Sequence, residues 1–220
     1  MRKKPFTWSF SALDSFETCP KRFWHISIAK DVKEEPNEAM NFGSYAHKAF
    51  EERLKNGTPL PIDLQHHNKL LDRLDAVDAE KHTEQKLALN RDFEPTGWFD
   101  SDVYVRAITD FTMIQGDWGA TFDWKFGKQK DGFDQINLVT VILFSYFPHV
   151  HTMDGAYYWA KDKQVRKDRL TRDQIPEIWN SLLPRVEVME DAYKTTDYPA
   201  RPSGLCKRHC PVRSCPHNGG

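Results

Sequence analysis

Polar and apolar residues alternate along a stretch in the middle of the chain. From residue 120 to 126 the apolar side chains fall on one face of an extended strand, and Thr121, Asp123 and Lys125 fall on the other. Residues 103–114 read as a longer and mostly apolar strand that carries Asp110. A lone carboxylate in a buried strand is unfavourable unless it is paired with a cation. The pattern therefore predicts two strands that present acidic groups close to a lysine.

Helical spacing of apolar residues predicts helices around these strands. An N-cap signature at Ser11 with Asp14 predicts a first helix that Pro20 limits, and His66 and His67 are expected to be solvated at the start of a later helix. The remaining predicted helices are 43–54, 66–81, 133–147 and 172–193, and the remaining predicted strands are 84–89 and 151–160, the latter an edge or last strand. This order of elements predicts an α/β fold with helices around a mixed central sheet.

Length and composition predict a single domain over residues 1–220. A chain of 220 residues with 39% hydrophobic content can form one core, and its longest apolar run, 136–147, is too short to cross a bilayer. The charge is nearly balanced, with 31 basic and 32 acidic residues, which excludes a simple polybasic nucleic-acid binder. The absence of a secretory leader predicts a cytoplasmic protein.

Five residues form the first candidate site. His47 and Glu51 stand four apart on one predicted helix and share a face, while Asp110, Asp123 and Lys125 lie on the strands. Two carboxylates and an imidazole suit Mg²⁺ or Mn²⁺, which would neutralise phosphoryl oxygens and acidify water. Lys125 could then orient the water, and Glu51 could accept a hydrogen bond near the ion.

Two alternatives stay open at this site. Asp110 and Lys125 could form an ordinary cross-strand ion pair without any metal. Glu84 could also join the site, although a solvated position at the start of the strand 84–89 is the preferred interpretation.

Four cysteines form the second candidate site. Cys19 lies near one end of the chain, and Cys206, Cys210 and Cys215 lie near the other. Without a secretory leader, clustered thiols indicate metal binding rather than disulfides. Cysteine followed by proline is found in iron–sulfur proteins, and Zn²⁺ on the same thiolates, with His209 or His217 replacing one of them, is the alternative.

Basic charge is concentrated in the two segments that carry the cysteines. Residues 1–30 hold six basic and two acidic residues, and residues 201–220 hold four basic residues and no acid. If the cysteines join these segments, the result is a local basic patch in which Lys21 and Arg22 could bind phosphates.

The order of these motifs resembles the PD-(D/E)XK nuclease superfamily, and within it the RecB-like branch of phage and CRISPR-associated exonucleases. The resemblance rests on the segment from Ser9 to Phe23, Gly43 to Glu51, the strand with Asp110, the pair Asp123 and Lys125, and then Gln135. It runs from about Ser9 to Cys215. The sequence departs from the family's Gln-x-x-x-Tyr element, since Val139 stands at the tyrosine position.

This resemblance implies a restriction-endonuclease-like fold and a role for each motif. It implies that His47, Asp110, Asp123 and the backbone carbonyl of Trp124 bind the metal, that Lys125 is the motif lysine, and that Gln135 belongs to the catalytic set. It also implies that the four cysteines hold a [4Fe-4S] cluster that joins the two ends of the chain.

Together the residues and the resemblance predict a metal-dependent DNA exonuclease that acts on ends or single strands, in a bacterial or phage-infected cell. The alternative is a catalytically idle subunit of a nucleic-acid-binding or recombination complex with a structural cysteine cluster. Polarity, strand preference, discrimination of DNA from RNA, oligomeric state and protein partners do not follow from the sequence.

Overall fold

The computed structural model describes residues 5–218, and these fall into two compact units. The first combines residues up to 36 with those from 180 onward, and the second comprises residues 37–179. A single domain over 1–220 stays a prediction. Of the basic residues near the start, Arg2, Lys3 and Lys4 lie outside the described residues.

The first unit contains helices, and the first of them begins after a serine N-cap. Helices α1 (Phe10–Thr18) and α2 (Pro20–Phe23) are followed by a π-helical turn (Trp24–Ala29), and the last helix of the chain (Ile175–Thr195) continues into this unit. The Ser9 hydroxyl accepts a hydrogen bond from the Ala12 N–H at 3.3 Å. The predicted cap at Ser11 is therefore wrong by two residues, because Ser9 is the serine with extended backbone geometry.

The second unit contains one mixed five-stranded sheet. Its strands, β1 to β5 in chain order and in spatial order, are Glu80–Leu89, Val105–Gln115, Trp118–Lys125, Thr152–Trp159 and Gln164–Thr171. All neighbours are antiparallel except β3 and β4, which are parallel and joined through a helix. The predicted α/β fold with a mixed sheet flanked by helices is confirmed, and it is compatible with a restriction-endonuclease-like core.

Helices cover both faces of this sheet. Helices α3 (Glu38–Asn56) and α4 (Asn68–Asp75) pack with Tyr158, whereas α5 (Asp134–Tyr146) packs with Tyr157. Adjacent residues of a strand point to opposite faces. It follows that α3 and α4 lie on one side of the sheet and α5 on the other.

Close packing of α5 against β4 depends on Gly155. A Cβ atom at this position would lie 2.7 Å from the Thr140 hydroxyl and 3.0 Å from the Ile136 side chain, both on α5. Only a residue without a side chain allows this approach.

Several predicted elements differ from the structure. The helix predicted for 66–81 is shorter, since α4 ends at Asp75 and residues 80 and 81 already belong to β1. The strand predicted for 151–160 is not at the sheet edge, because the unpredicted β5 pairs along its whole length. His67 is not solvated: only 3% of it is exposed, and its Nδ1 lies 2.7 Å from the Tyr158 hydroxyl. Within residues 5–218, no helix combines the length and the apolarity that a membrane span requires.

Candidate active site

The first candidate site lies where β2 and β3 separate. Their pairing runs from Gln115 and Trp118 to Phe111 and Phe122, and the next residues in register are Asp110 and Asp123. Beyond this point the Trp124 N–H donates its hydrogen bond to a side chain of β2 instead of to the β2 backbone; the acceptor is Asp110 Oδ2, at 2.6 Å. The end of the pairing therefore frees both acidic residues for other partners.

His47 approaches this point from α3. Its Nδ1 atom lies 3.3 Å from Asp110 Oδ1, and its ring packs edge-on against Phe126 with ring centroids 5.4 Å apart. Burial lowers the pKa of His47, but the hydrogen bond and charge of Asp110, together with the charges of Asp123 and Glu84, outweigh burial, so the pKa lies above its ordinary value. The imidazole thus faces a surplus of negative charge.

Glu84 is the third member of a group with His47 and Asp110, although its sequence position favoured a solvated start of the strand. It lies inside β1 rather than at its start, with a left-handed backbone (φ 49°), and pairing skips from Thr83 to Gln85 at this point. One ligand atom from each of His47, Glu84 and Asp110 lies within 4.8 Å of the others. Burial raises the pKa of Glu84, and the charge of Asp110 raises it further. A glutamate in a strand facing the Asp110 position was the available signal, but its strained backbone cannot be read from the sequence.

Asp123, Lys125 and Gln135 form a closed triangle next to this group. Lys125 Nζ lies 2.7 Å from Asp123 Oδ2 and donates a 2.8 Å hydrogen bond to Gln135 Oε1, while Gln135 Nε2 donates to Asp123 Oδ1 at 2.9 Å. Lys125 therefore pairs with Asp123, and the alternative ion pair with Asp110 is wrong. The predicted common face of Asp123 and Lys125 is seen directly.

Burial raises the pKa of Asp123 to about 6, against the opposing charge of Lys125, and the charge of Asp110 adds to the increase. The charge of Asp110 thus disfavours the ionised form of Asp123. A divalent cation would relieve this repulsion. Three carboxylates and one imidazole also form the donor set that Mg²⁺ and Mn²⁺ accept, so the residues present fit such an ion.

The side chains of the other two predicted residues, Glu51 and Trp124, have partners outside this group. Glu51 pairs with lysines of its own helix, with its carboxylate oxygens 2.9 Å from Lys48 Nζ and 3.7 Å from Lys55 Nζ. It contributes to the site through its charge, which raises the pKa of Glu84 in addition to burial and Asp110. The side chain of Trp124 is buried in the core against Phe50, so only its backbone faces the site. Roles for Glu51 and the Trp124 carbonyl stay predictions.

The second candidate site lies in the first unit. Cys19, Cys206, Cys210 and Cys215 are free thiols that line one cavity, together with Lys21 and Arg22. Backbone N–H groups of Arg201 and Ser203 donate to the sulfur atoms of Cys19 and Cys206 at 3.4 Å and 3.3 Å. Hydrogen bonds of this kind stabilise thiolate ligands and tune iron–sulfur clusters. The structure thus gathers the four cysteines from both ends of the chain.

One basic residue at this cavity already has an acidic partner. Arg22 forms an ion pair with Glu34 at 2.5 Å, and the Lys21 backbone bonds to the Pro199 carbonyl. Binding of nucleic acid by Lys21 and Arg22 stays a prediction.

A family model for the PD-(D/E)XK nuclease superfamily matches residues 7–107. The match supports this superfamily and with it a nuclease. It includes His47 and Glu84 and stops before Asp110, so the geometry around Asp110, Asp123 and Lys125 stands beside the match as a separate observation.

The crystal structure of SSO0001 is similar over 99% of this chain and 89% of that chain, at 15% sequence identity and a TM-score of 0.42. A search of curated proteins found no match.

Proposed function

We propose that this protein is a divalent-metal-dependent deoxyribonuclease of the RecB-like branch, an exonuclease that acts on DNA ends or single strands. The observation that carries the proposal is the convergence of His47, Glu84 and Asp110 within 4.8 Å, next to the Asp123 and Lys125 pair. The superfamily match supports the same class.

The residues divide the work of phosphodiester hydrolysis between them. His47, Glu84, Asp110 and Asp123 would hold Mg²⁺ or Mn²⁺, and the ion supplies charge neutralisation and a more acidic water. Lys125 provides a positive charge beside the scissile phosphate and can stabilise the charge that develops there. Gln135 keeps the ammonium group in place, so its position need not be organised during the reaction.

The test is hydrolysis of end-labelled linear DNA by metal-stripped protein, with Mn²⁺ or Mg²⁺ added back. Cleavage should require the metal and should release nucleotides from one end, while a circular single strand should resist. Asp110→Asn serves as the matched control, and cleavage as fast as in the wild type would show that the activity comes from elsewhere. Labels at the 5′ and 3′ ends establish polarity in the same experiment.

The same DNA test separates the proposed enzyme from an idle binding subunit. A protein that binds the labelled strand but leaves it intact under every metal condition would contradict the proposed nuclease.

We also propose that the four cysteines hold a [4Fe-4S] cluster that joins the two ends of the chain. The support is their common cavity and the N–H groups directed at two of the sulfur atoms. Four thiolates fit such a cluster, and free thiols suit the reducing cytoplasm of a bacterial or phage-infected cell.

Anaerobically purified protein should be brown and contain about four irons per chain, as four-cysteine [4Fe-4S] sites do. A colourless protein with one zinc per chain would overturn the iron–sulfur assignment in favour of a zinc site. Cys210→Ser should lower the metal content in either case.

A further inference from the structure

A row of side chains leads away from Asp110 along the outer face of β1 and β2. On β2 the even-numbered residues Asp110, Ile108 and Arg106 share a face, while Val105 and Thr109 are buried on the other. Across the pair, Lys86 stands opposite Ile108. At roughly 3.3 Å per residue, Ile108 lies about 7 Å from Asp110 and Arg106 about 13 Å.

The two cations of this row share one aromatic ring. The Lys86 ammonium lies 5.8 Å from the centre of the Trp98 ring, and the Arg106 guanidinium lies 5.3 Å from it. Trp98 belongs to the segment between β1 and β2, and it is partly exposed. Ile108, between Asp110 and Arg106, is 48% exposed.

The positive charge of this row is not cancelled by a carboxylate. Within residues 5–218 neither Lys86 nor Arg106 forms an ion pair, and the Arg106 Nε atom is buried without a hydrogen-bond partner. The carboxylates beside Trp98 are held by their own loop: Asp100 Oδ2 accepts from the Gly97 N–H at 2.9 Å, and Asp102 Oδ1 accepts from the Thr96 hydroxyl at 2.8 Å.

Two cations in diagonal positions of an antiparallel pair repel each other. An anion between them removes this repulsion, and a ring beside them offers a surface for a base. Phosphates flanked by stacking rings are the pattern of single-stranded nucleic-acid binding.

We propose that Lys86, Arg106, Ile108 and Trp98, here named the β1–β2 track, bind the single DNA strand next to the phosphate that is cleaved. The proposal rests on the proposed nuclease function, since it takes Asp110 as the place of the scissile phosphate. Lys86 and Arg106 contact the neighbouring phosphates, and Ile108 and Trp98 contact sugars and bases. The track therefore favours a single strand over a small phosphodiester.

The test compares binding with catalysis. Affinity for a short fluorescein-labelled oligothymidylate is measured by anisotropy in metal-free buffer over a range of salt concentrations. Hydrolysis of bis(p-nitrophenyl) phosphate, which has no neighbouring nucleotides, is measured with Mn²⁺. The variants are Lys86→Ala/Arg106→Ala and Trp98→Ala, and the matched control is Lys69→Ala/Arg73→Ala, which removes two exposed charges from α4.

The double variant of the track should bind the oligonucleotide at least about tenfold more weakly. The slope of log K against log[salt] should become less steep by about 1.4, which is the contribution of two phosphate contacts on a single strand. Trp98→Ala should weaken binding by an order of magnitude. Hydrolysis of the small ester should stay at the wild-type rate in all variants, and the α4 control should bind like the wild type.

Failure of the track and failure of the nuclease give different results. Wild-type affinity and salt dependence in Lys86→Ala/Arg106→Ala, with the small ester still hydrolysed, would overturn the track alone. Equal weakening by the α4 control would also overturn it, because the effect would then be one of total charge. No ester hydrolysis by the wild type, with the predicted loss of binding in the variants, would overturn the nuclease and keep the track as a DNA-binding surface. Circular dichroism melting of each variant shows that lost binding is not lost folding.

Discussion

Gln135 on α5 holds Lys125 on β3, with its Oε1 atom accepting a 2.8 Å hydrogen bond from the Lys125 ammonium. The same amide donates to Asp123 at 2.9 Å. One side chain therefore fixes the distance between the proposed catalytic lysine and a proposed metal ligand, and it comes from a different element than either of them.

Replacement of Gln135 by leucine should slow the reaction without weakening substrate binding. The variant keeps the size of the side chain but loses both hydrogen bonds, so Lys125 and Asp123 lose their common support. We expect kcat to fall about 10- to 100-fold with little change in KM. Steady-state kinetics on a single-stranded oligonucleotide measure both constants.

Gln135→Glu serves as the control for this substitution. It still accepts from Lys125 but places a carboxylate beside Asp123, so its kcat should lie between those of the wild type and the leucine variant. If Gln135→Leu raised KM and left kcat unchanged, Gln135 would act in binding rather than in positioning.

Loss of the Asp110 carboxylate should remove the response of the protein to divalent metal. An ion that binds only the folded state stabilises it, by about 2.7 kcal/mol at a hundredfold excess over its Kd. Mn²⁺ should therefore raise the Tm of the wild type and leave Asp110→Asn nearly unchanged. Calorimetry with and without Mn²⁺ measures this independently of any activity. Equal stabilisation of both proteins would place the metal elsewhere.

Glu84 should be less favourable for the stability of the fold than a glycine at the same position, while its carboxylate should be needed for the proposed activity. Its left-handed backbone is unfavourable for any residue with a Cβ atom, at about 1 kcal/mol. We expect Glu84→Gly to unfold with a free energy about 1 kcal/mol higher than Glu84→Ala, while both lose metal-dependent cleavage. Urea unfolding of the two variants gives the difference. An alanine variant as stable as the glycine variant would show that the backbone is not strained at this position.

Protonation of His67 should destabilise the protein in mild acid. Burial lowers its pKa to about 4, and the charges of His66 and Lys163 contribute to the decrease. The unfolded chain has a histidine pKa of about 6.5, so it binds the proton first, and stability is lost as the pH falls from about 6.5 toward 4. At pH 5 the loss is about 2 kcal/mol relative to pH 7.5.

Urea unfolding at both pH values tests this effect. His67→Gln cannot titrate and should lose about 2 kcal/mol less than the wild type between pH 7.5 and 5. His66→Gln is the second variant: it removes only one of the charges that help burial lower the pKa of His67, so its loss should lie between those of the wild type and His67→Gln. A His67→Gln variant with the wild-type slope would contradict the prediction.

The sequence predicts the centre of the sheet better than its margins. In β2 and β3, apolar alternation and two aspartates were enough to place Asp123 and Lys125 on one face. In β5 half of the residues from Gln164 to Thr171 are charged, as is common in edge strands, so no apolar pattern marks the strand. The pairing of β5 with β4 is a tertiary contact that a local pattern does not contain.

The candidate site shows the same division. His47, Asp110, Asp123, Lys125 and Gln135 follow from motif order, and the structure brings them together. The inclusion of Glu84 depends on an interruption of the β1 and β2 pairing, and the pairing of Glu51 depends on two lysines that lie three and four residues away on its own helix. Both outcomes are set by competing local contacts rather than by residue type.

Because Gly155 has no side chain, α5 can pack closely against β4. Gln135 precedes Ile136, one of the two residues that a methyl group at Gly155 would push away. The strand β4 supplies none of the proposed metal ligands, yet its Gly155 determines how far the Gln135 amide lies from β3. Natural variation at this glycine would therefore alter the turnover of the proposed nuclease from a position outside its proposed catalytic groups.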